Sequence, residues 1–267
     1  MAIYKAEHLR ENDFQHTLDG LIITKWTYHP NVYPNWHYHE NPSLTLILKG
    51  GAIDQRKKEE KAIGAGDLVL HRSEELHRNK FLSENSRHFC IEMEPGWFKK
   101  FDIPNHFEAK SLLLVNPVIK AKVISVLGEF IDSGSTKNIS VETLLLDCIT
   151  DLNAVTISNY YPTWLNSLKE LLHDEYYTDW SLAQLAKRMN VHPVTISKYF
   201  TRYFKTTIGD YIRKIKICKS FSDLSNKSKA INNIGTNSGF ADHAHFTKNF
   251  KKYTGVTPSE YREFVFG

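Results

Sequence analysis

Near the end of the chain, His243, Ala244, Thr247 and Lys248 recur at a spacing that puts them together on one side of a helix. Their side chains are of the kinds that meet base edges in a DNA groove. Phe246, Phe250 and Tyr253 follow i, i+4, i+7 and form an apolar stripe on another side of the same helix. Earlier in the chain, Val194, Ser197 and Lys198 stand in the same relation to Ile196, Phe200 and Tyr203. Arg202, Arg213, Lys251 and Lys252 lie close by and suit contacts to phosphate. A second chemistry is offered by His37 and His39, one residue apart, with His77 further on. Alternate residues of a strand face one way, so the pair can converge with His77 either on a metal ion or on an organic ligand. Trp26, Tyr28, Tyr33, Trp36 and Tyr38 surround the pair in sequence. Such rings suit the faces of a sugar or a flat metabolite.

The helices that must carry the first set are marked by their ends. Asp242 is placed to cap the later helix, and Gly239 suits the turn before it. Ser181 and Gln184 form a capping box ahead of Leu182, Leu185 and Ala186, the expected buried face. Met189 to His192 make a turn, and Pro193 sits where a helix begins and its missing N–H costs nothing. The pattern predicts two helix-turn-helix units, 181–203 and 231–253. Residues Tyr211 to Cys218 open a connecting helix between them, which carries four cations between Arg213 and Lys219. Two recognition helices on one connector suit successive major grooves, about 34 Å apart on B-DNA. Charge agrees. From Thr163 onward 16 Lys and Arg face 9 Asp and Glu, against 18 and 21 in the first 162 residues. A basic rear joined to a slightly acidic front is the footprint of a nucleic-acid module attached to something else.

These residues resemble the AraC/XylS-type bacterial transcription regulators. The second unit carries Gly239-Phe240, Phe246-Thr247-Lys248, Phe250-Lys251-Lys252 and Gly255-Val256-Thr257-Pro258 through Arg262. The first matches at Leu185-Ala186, Ile196-Ser197-Lys198, Phe200, Thr207 and Asp210 to Arg213. The resemblance implies base contacts from Val194, Ser197 and Lys198, and from His243, Ala244, Thr247 and Lys248. Two departures stand out. Lys205 replaces a usual glycine after the first recognition helix, which asks for a left-handed backbone. Gly235 replaces a usual alanine inside a helix, at a cost of up to ~1 kcal/mol.

The front half reads as short strands. Leu44 to Leu48 end at Gly50-Gly51, Gly64 to Asp67 turn into Leu68-Val69-Leu70, and His88 to Met93 follow. This is the pattern of a sandwich or jelly roll. The placement of His37-Tyr38-His39, Gly66-Asp67-Leu68 and His77 resembles a cupin barrel, a domain such regulators often carry in front. Metal-binding cupins add a glutamate shortly after the paired histidines, and Ser43 stands near that position here. The resemblance therefore leaves two sensory readings open. One is an organic effector held by Trp26, Tyr28, Trp36, Tyr38, His37, His39 and His77 with no cofactor. The other is one divalent metal on His37, His39 and His77. A metalloenzyme fused to a DNA-binding domain is the weaker alternative, since no nucleophile elbow, phosphate loop or paired-carboxylate motif appears. The expectation is a regulator without enzymatic activity. Arg56, Lys57, Lys58, Glu59 and Glu60 read as a solvated hairpin.

Between the two parts, Val115-Asn116-Pro117 starts a helix with Ile119, Val123, Val126, Leu127 and Phe130 on one stripe. After Gly134-Ser135-Thr136, Ser140 restarts a second, burying Leu144, Leu145, Cys148, Ile149 and Leu152. The expected architecture is multidomain. An all-β cupin-like barrel (1–110) precedes a helical linker with possible dimerisation helices (111–162) and an all-α DNA-binding domain (163–267). No run approaches a membrane span, the start does not read as a signal peptide, and three scattered cysteines suit reduced thiols. The expectation is a cytoplasmic homodimer whose partners are double-stranded DNA, a small-molecule effector and, if it activates, RNA polymerase, with no membrane.

Overall fold

The computed structural model describes residues 4–5, 11–28, 35–57, 59–104, 113–131, 137–157 and 162–267. Tyr33, Lys58, the Gly134 to Thr136 turn and the 110/111 boundary lie outside the described residues. The N-terminal part is sheet-rich, with β1 (Tyr4–Lys5), β2 (Glu11–Leu18), β3 (Leu21–Tyr28), β4 (His37–Tyr38) and β5 (Ser43–Lys49). After them come β6 (Gly51–Arg56), β7 (Glu60–Gly64), β8 (Leu68–His71), β9 (His77–Phe81) and β10 (Ser86–Met93). They form two five-stranded sheets, ordered β1-β4-β9-β6-β7 and β2-β3-β10-β5-β8. The first contains a parallel pair, β1 with β4, and the remaining ladders are antiparallel.

The apolar run of β5 now has its reason. Leu44, Leu46 and Leu48 join a core on the outside of the second sheet, while Ile47 joins a smaller one with Ala52, Ile63 and Phe81 between the sheets. A strand buried on both faces shows no polar alternation.

Helices cover that outer face. After the short α1 (Pro95–Lys100) come α2 (Pro117–Ile131) and α3 (Lys137–Ile157). The start of α3 at Lys137 corrects the expected restart at Ser140. Ile139 in its first turn is 72% exposed, so that turn carried no buried-stripe signal. The rear of the chain is helical throughout: α4 (Thr163–Asp174), α5 (Leu182–Met189), α6 (Pro193–Phe204), α7 (Ile208–Leu224), α8 (Ile231–Asn237), α9 (His243–Thr254) and α10 (Pro258–Phe266).

The cores do not follow the expected domain boundaries. One continuous core runs from Leu46 and Phe89 of the sheet through Val123 and Leu127 of α2 into Ile234, Phe250 and Tyr261 of α8, α9 and α10. A separate core joins α4, α5, α6 and the start of α7 through Leu168, Leu185, Ile196, Phe200 and Tyr211. The later helix pair is thus fused to the sheet by way of α2, and the earlier pair has a core of its own.

Polar ties accompany the fusion. Lys25 on β3, buried at 5% exposure, donates to the Phe264 carbonyl at 2.7 Å, and Arg87 on β10 donates to that of Val265 at 2.5 Å. Both meet the C-terminal end of α10, where unpaired carbonyls make cations favourable. Ser125 of α2 donates to the Tyr253 carbonyl at 2.9 Å. Lys120 reaches the Gly66 carbonyl and Asp67 in the β7–β8 turn. No helix among the described residues is long and apolar enough to cross a membrane.

Candidate nucleic-acid interface and barrel pocket

Each helix of the two rear pairs is held by its ends. The Ser181 and Gln184 capping box forms at the start of α5, and Asn190 ends that helix in a left-handed conformation. His192 caps α6 by accepting from the Val194 amide, with Pro193 next. Lys205 takes the left-handed backbone at φ 53° that its position demanded. Asp242 caps α9, accepting from the His245 amide at 2.7 Å. Gly239 lies at φ +85° in the turn before it, and Lys216 of α7 donates to its carbonyl at 2.7 Å. Lys216, one of the four connector cations, is therefore an internal tie.

Burial then sorts the faces. Ile196, Phe200 and Phe204 of α6 are buried, while Val194, Ser197, Lys198, Thr201 and Arg202 are exposed. Phe204 replaces Tyr203, which is half-buried, as the third core residue. In α9, Phe246, Phe250 and Tyr253 are buried, His243, Ala244, Lys248, Lys251 and Lys252 are exposed, and Thr247 is half-buried. Neither helix contains a carboxylate, so their exposed cations face no competing charge on the same helix. Val194 is 65% exposed, an apolar side chain that fits contact with a thymine methyl. Leu182, expected in the core with Leu185 and Ala186, is 41% exposed as the first residue of α5, and only the other two are buried.

The inserted Gly235 is explained by packing. A Cβ there would lie 2.7 Å from the Cβ of Phe246, so α8 approaches α9 more closely than alanine permits. Its helix-propensity cost is offset by that approach.

Arg213, expected on the DNA backbone, sits half-buried in the seam between the pairs. It donates to the Tyr253 hydroxyl at 3.1 Å and to Asp210 at 3.1 Å. Asp210 is the hub, accepting also from the Tyr253 hydroxyl at 2.6 Å and from Lys214 at 2.7 Å, with Lys252 at 3.4 Å. Burial alone would raise this carboxyl, but the bonds from Lys214, Tyr253 and Arg213 hold it well below the ordinary carboxylate range. A depressed folded-state value means a contribution fully present above the unfolded value, near 4, and lost only as pH falls through the folded one. Asp210→Asn should thus lower stability by about 2 kcal/mol at neutral pH and flatten the acid limb of the stability–pH curve. Denaturant titrations of both proteins across the acid range check this. Equal curves would remove Asp210 as the tie between α7 and α9.

The second candidate site lies between the sheets. His37 and His77 are direct partners across β4 and β9. With His39 they bring ligand nitrogens within 4.8 Å of one another. Tyr28, Ser43, Thr45, His88 and Cys90 line the same cavity from the other sheet. Trp26, Trp36 and Tyr38 do not line it, and Trp36 instead stacks under the Arg78 guanidinium at 5.2 Å. The cavity measures about 30 Å³ and is walled by side chains of both sheets.

Sequence reasoning missed His71 and Arg56. The His71 ring lies 4.5 Å from that of His77, and Arg56 stands 3.4 Å from its Nδ1. Burial, with the neighbouring imidazoles, holds His71 well below the usual histidine value. Arg56 was read as part of a solvated hairpin but is 9% exposed, paired with Asp54 at 3.0 Å and with Glu75. Burial pushes Glu75 up, but bonds from Arg72 and Arg56 outweigh it and bring the carboxyl to about 2. The signal for Arg56 was the alternation of β6, on which Asp54 and Arg56 face inward together.

Comparison with known proteins agrees with the rear of the chain. Residues 185–263 match a helix-turn-helix domain family. The chain is 23% identical over 242 residues to the HTH-type transcriptional activator RhaR of Mannheimia succiniciproducens, covering 85% of this chain and 86% of that protein. It is 22% identical over 234 residues to the arabinose operon regulatory protein of Escherichia coli, covering 82% and 79%. Among solved structures it is similar to ToxT from Vibrio cholerae, at 16% identity and TM-score 0.40, covering 93% of this chain and 100% of that one. The exposed faces of α6 and α9, the helix-turn-helix domain matched over residues 185–263 and the regulators matched along most of the length lead to one conclusion: the chain is a DNA-binding transcription regulator similar to the AraC-type regulators.

Proposed function

We propose that the chain reads a bipartite DNA site with two helix-turn-helix units, α5–α6 and α8–α9, under control of a ligand in an N-terminal cupin-like barrel. The observation that carries this is the pair of exposed, carboxylate-free faces on α6 and α9, joined by the single connector α7. Val194, Ser197 and Lys198 meet bases in one major groove, and His243, Ala244, Thr247 and Lys248 in the next. Arg202, Lys251 and Lys252 hold phosphates. Arg213 positions the two units through Asp210 and Tyr253 and leaves the phosphates to its neighbours. Residues 1–110 form the sensory barrel, 111–162 the linker that pairs two copies, and 163–267 the DNA-binding domain. The protein works in the cytoplasm without catalysis of its own, and engages RNA polymerase where it activates. Control is a population shift, because a ligand between the sheets acts on β3 and β10, whose outer faces hold α10 through Lys25 and Arg87.

Lys248→Ala should weaken specific binding by ~1–3 kcal/mol and relax the preference at one position of the site. Lys198→Ala should do the same in the other half. Titrations of operator and random duplex at one fixed salt concentration measure both. Wild-type affinity for the operator in either variant would remove that lysine from the interface.

A further inference from the structure

The cavity between the sheets is built more like an ion site than a metabolite pocket. The ligand nitrogens of His37, His39 and His77 already converge, and imidazoles are the donors that zinc, cobalt, nickel and iron accept. Two of the rings are set by the backbone. Nδ1 of His37 lies 3.2 Å from the Asn35 carbonyl, and Nδ1 of His77 lies 2.9 Å from that of Glu75. A carbonyl can only accept, so each Nδ1 carries the ring proton and each Nε2 presents a lone pair. Such a contact on the far nitrogen is what orients a ligating histidine.

Charge then decides what else must enter. None of the residues lining the cavity is a carboxylate. The nearby Asp54 and Glu75 are committed to Arg56 and Arg72. A divalent ion on three neutral imidazoles would keep both its positive charges in a buried place, and an anion must offset them. His71 supplies the partner for that anion. Its ring is 4.5 Å from His77 and 5.8 Å from His39. Arg56 faces its Nδ1, and a guanidinium can only donate. Nδ1 therefore accepts, and the proton of His71 sits on Nε2. His71 is a hydrogen-bond donor beside the site and not a fourth ligand.

We propose that His37, His39 and His77 hold one divalent transition-metal ion whose open position takes a small carboxylate, hydrogen-bonded by His71. His71 stands in for the glutamate that the paired histidines lack, with the charge supplied by the ligand and not the protein. The regulatory meaning of this site rests on the barrel control proposed above; its binding chemistry does not.

The test uses the untagged, full-length chain, freed of metal by chelation and titrated with Co²⁺, first without DNA. The expected result is one Co²⁺ per chain with visible ligand-field bands, and a change in those bands on adding acetate. His37→Ala and His77→Ala should each weaken Co²⁺ binding at least about tenfold, with circular dichroism showing the fold retained. His39→Gln is the milder second variant should alanine unfold the barrel. His71→Gln should take up Co²⁺ and lose the acetate response. Absence of stoichiometric Co²⁺, or uptake unchanged in His37→Ala, His77→Ala and His39→Gln together, overturns the metal site. An acetate response that survives in His71→Gln overturns the role of His71. A second arm measures operator affinity with and without Co²⁺ and acetate. An unchanged affinity overturns regulation by this ion, whereas a chain that binds no operator at all refutes the DNA reading and leaves the Co²⁺ result standing.

Discussion

Gly128→Ala is expected to separate the later helix pair from the rest of the molecule. Gly128 lies in the last turn of α2, and a Cβ there would overlap the carbonyl oxygen of Thr254 at the end of α9. That atom is backbone and no side-chain rotation relieves it. Ser125, one turn earlier, donates to the Tyr253 carbonyl, so the two helices are pinned at the point of overlap. Forcing a methyl group into such a contact costs ~1–3 kcal/mol or more, and here the strain can be released only by moving α9 away from α2. The expected outcome is a drop in thermal midpoint together with a weakened second half-site in footprinting, while the first half-site is kept. A variant with wild-type stability and an unaltered footprint would show that α9 does not depend on α2.

Phe221→Ala should have the larger effect on stability. Phe221 is fully buried on α7, 4.8 Å from the ring of Tyr261 and 5.4 Å from that of Phe250. Its Cβ also lies against Gly66 in the β7–β8 turn, where a methyl would come within 3.0 Å of it. It is thus the meeting point of connector, later helix pair, last helix and the sheet-rich front of the chain. Removing a buried phenylalanine costs ~3–5 kcal/mol through lost transfer energy and the cavity left behind. The division of cores makes the prediction local. The earlier pair packs on Phe200, Tyr211 and their neighbours, which Phe221 does not join. Amide exchange should accelerate in α8, α9 and α10 and stay slow in α6. Uniform acceleration along the chain would mean the two cores unfold as one.

The rear of the chain was legible in sequence because its signals are local. Capping at Ser181 and Asp242, the proline opening α6 and the stripe of Phe246, Phe250 and Tyr253 all act within a few residues, and the helices follow them. What sequence reasoning missed depends on contacts across long separations. Arg56 looked solvated beside Lys57 and Glu59, yet its partner Glu75 comes from beyond β8. His71 had no local pattern at all, since its place beside His77 arises from how β8 meets the opposite sheet. Arg213 looked like a phosphate contact because helical spacing cannot show that Tyr253, far along the chain, would fill the space beside it. The aromatics Trp26, Trp36 and Tyr38 failed for the opposite reason. They cluster in sequence, but the short β4 and the fold of the sheets keep them off the cavity wall.

The fusion of cores also bears on control. On the proposed function, an N-terminal part that shares its core with α8–α9 but not with α5–α6 alters the angle between the two helix pairs by acting on one of them. The Asp210–Tyr253–Arg213 seam is where that angle is held. A regulator that must place two helices in successive grooves loses affinity steeply when the angle is wrong, since only one half then binds.

The central claim is most directly tested by selecting the purified full-length chain against a randomised duplex library at one fixed salt concentration, because phosphate contacts make every affinity depend on salt. The account predicts enrichment of a site with two conserved halves about one helical turn apart. It also predicts that Lys198→Ala erases the preference in one half and Lys248→Ala in the other. Enrichment of a single short half that responds to only one of these substitutions, or no enrichment at all, would contradict it.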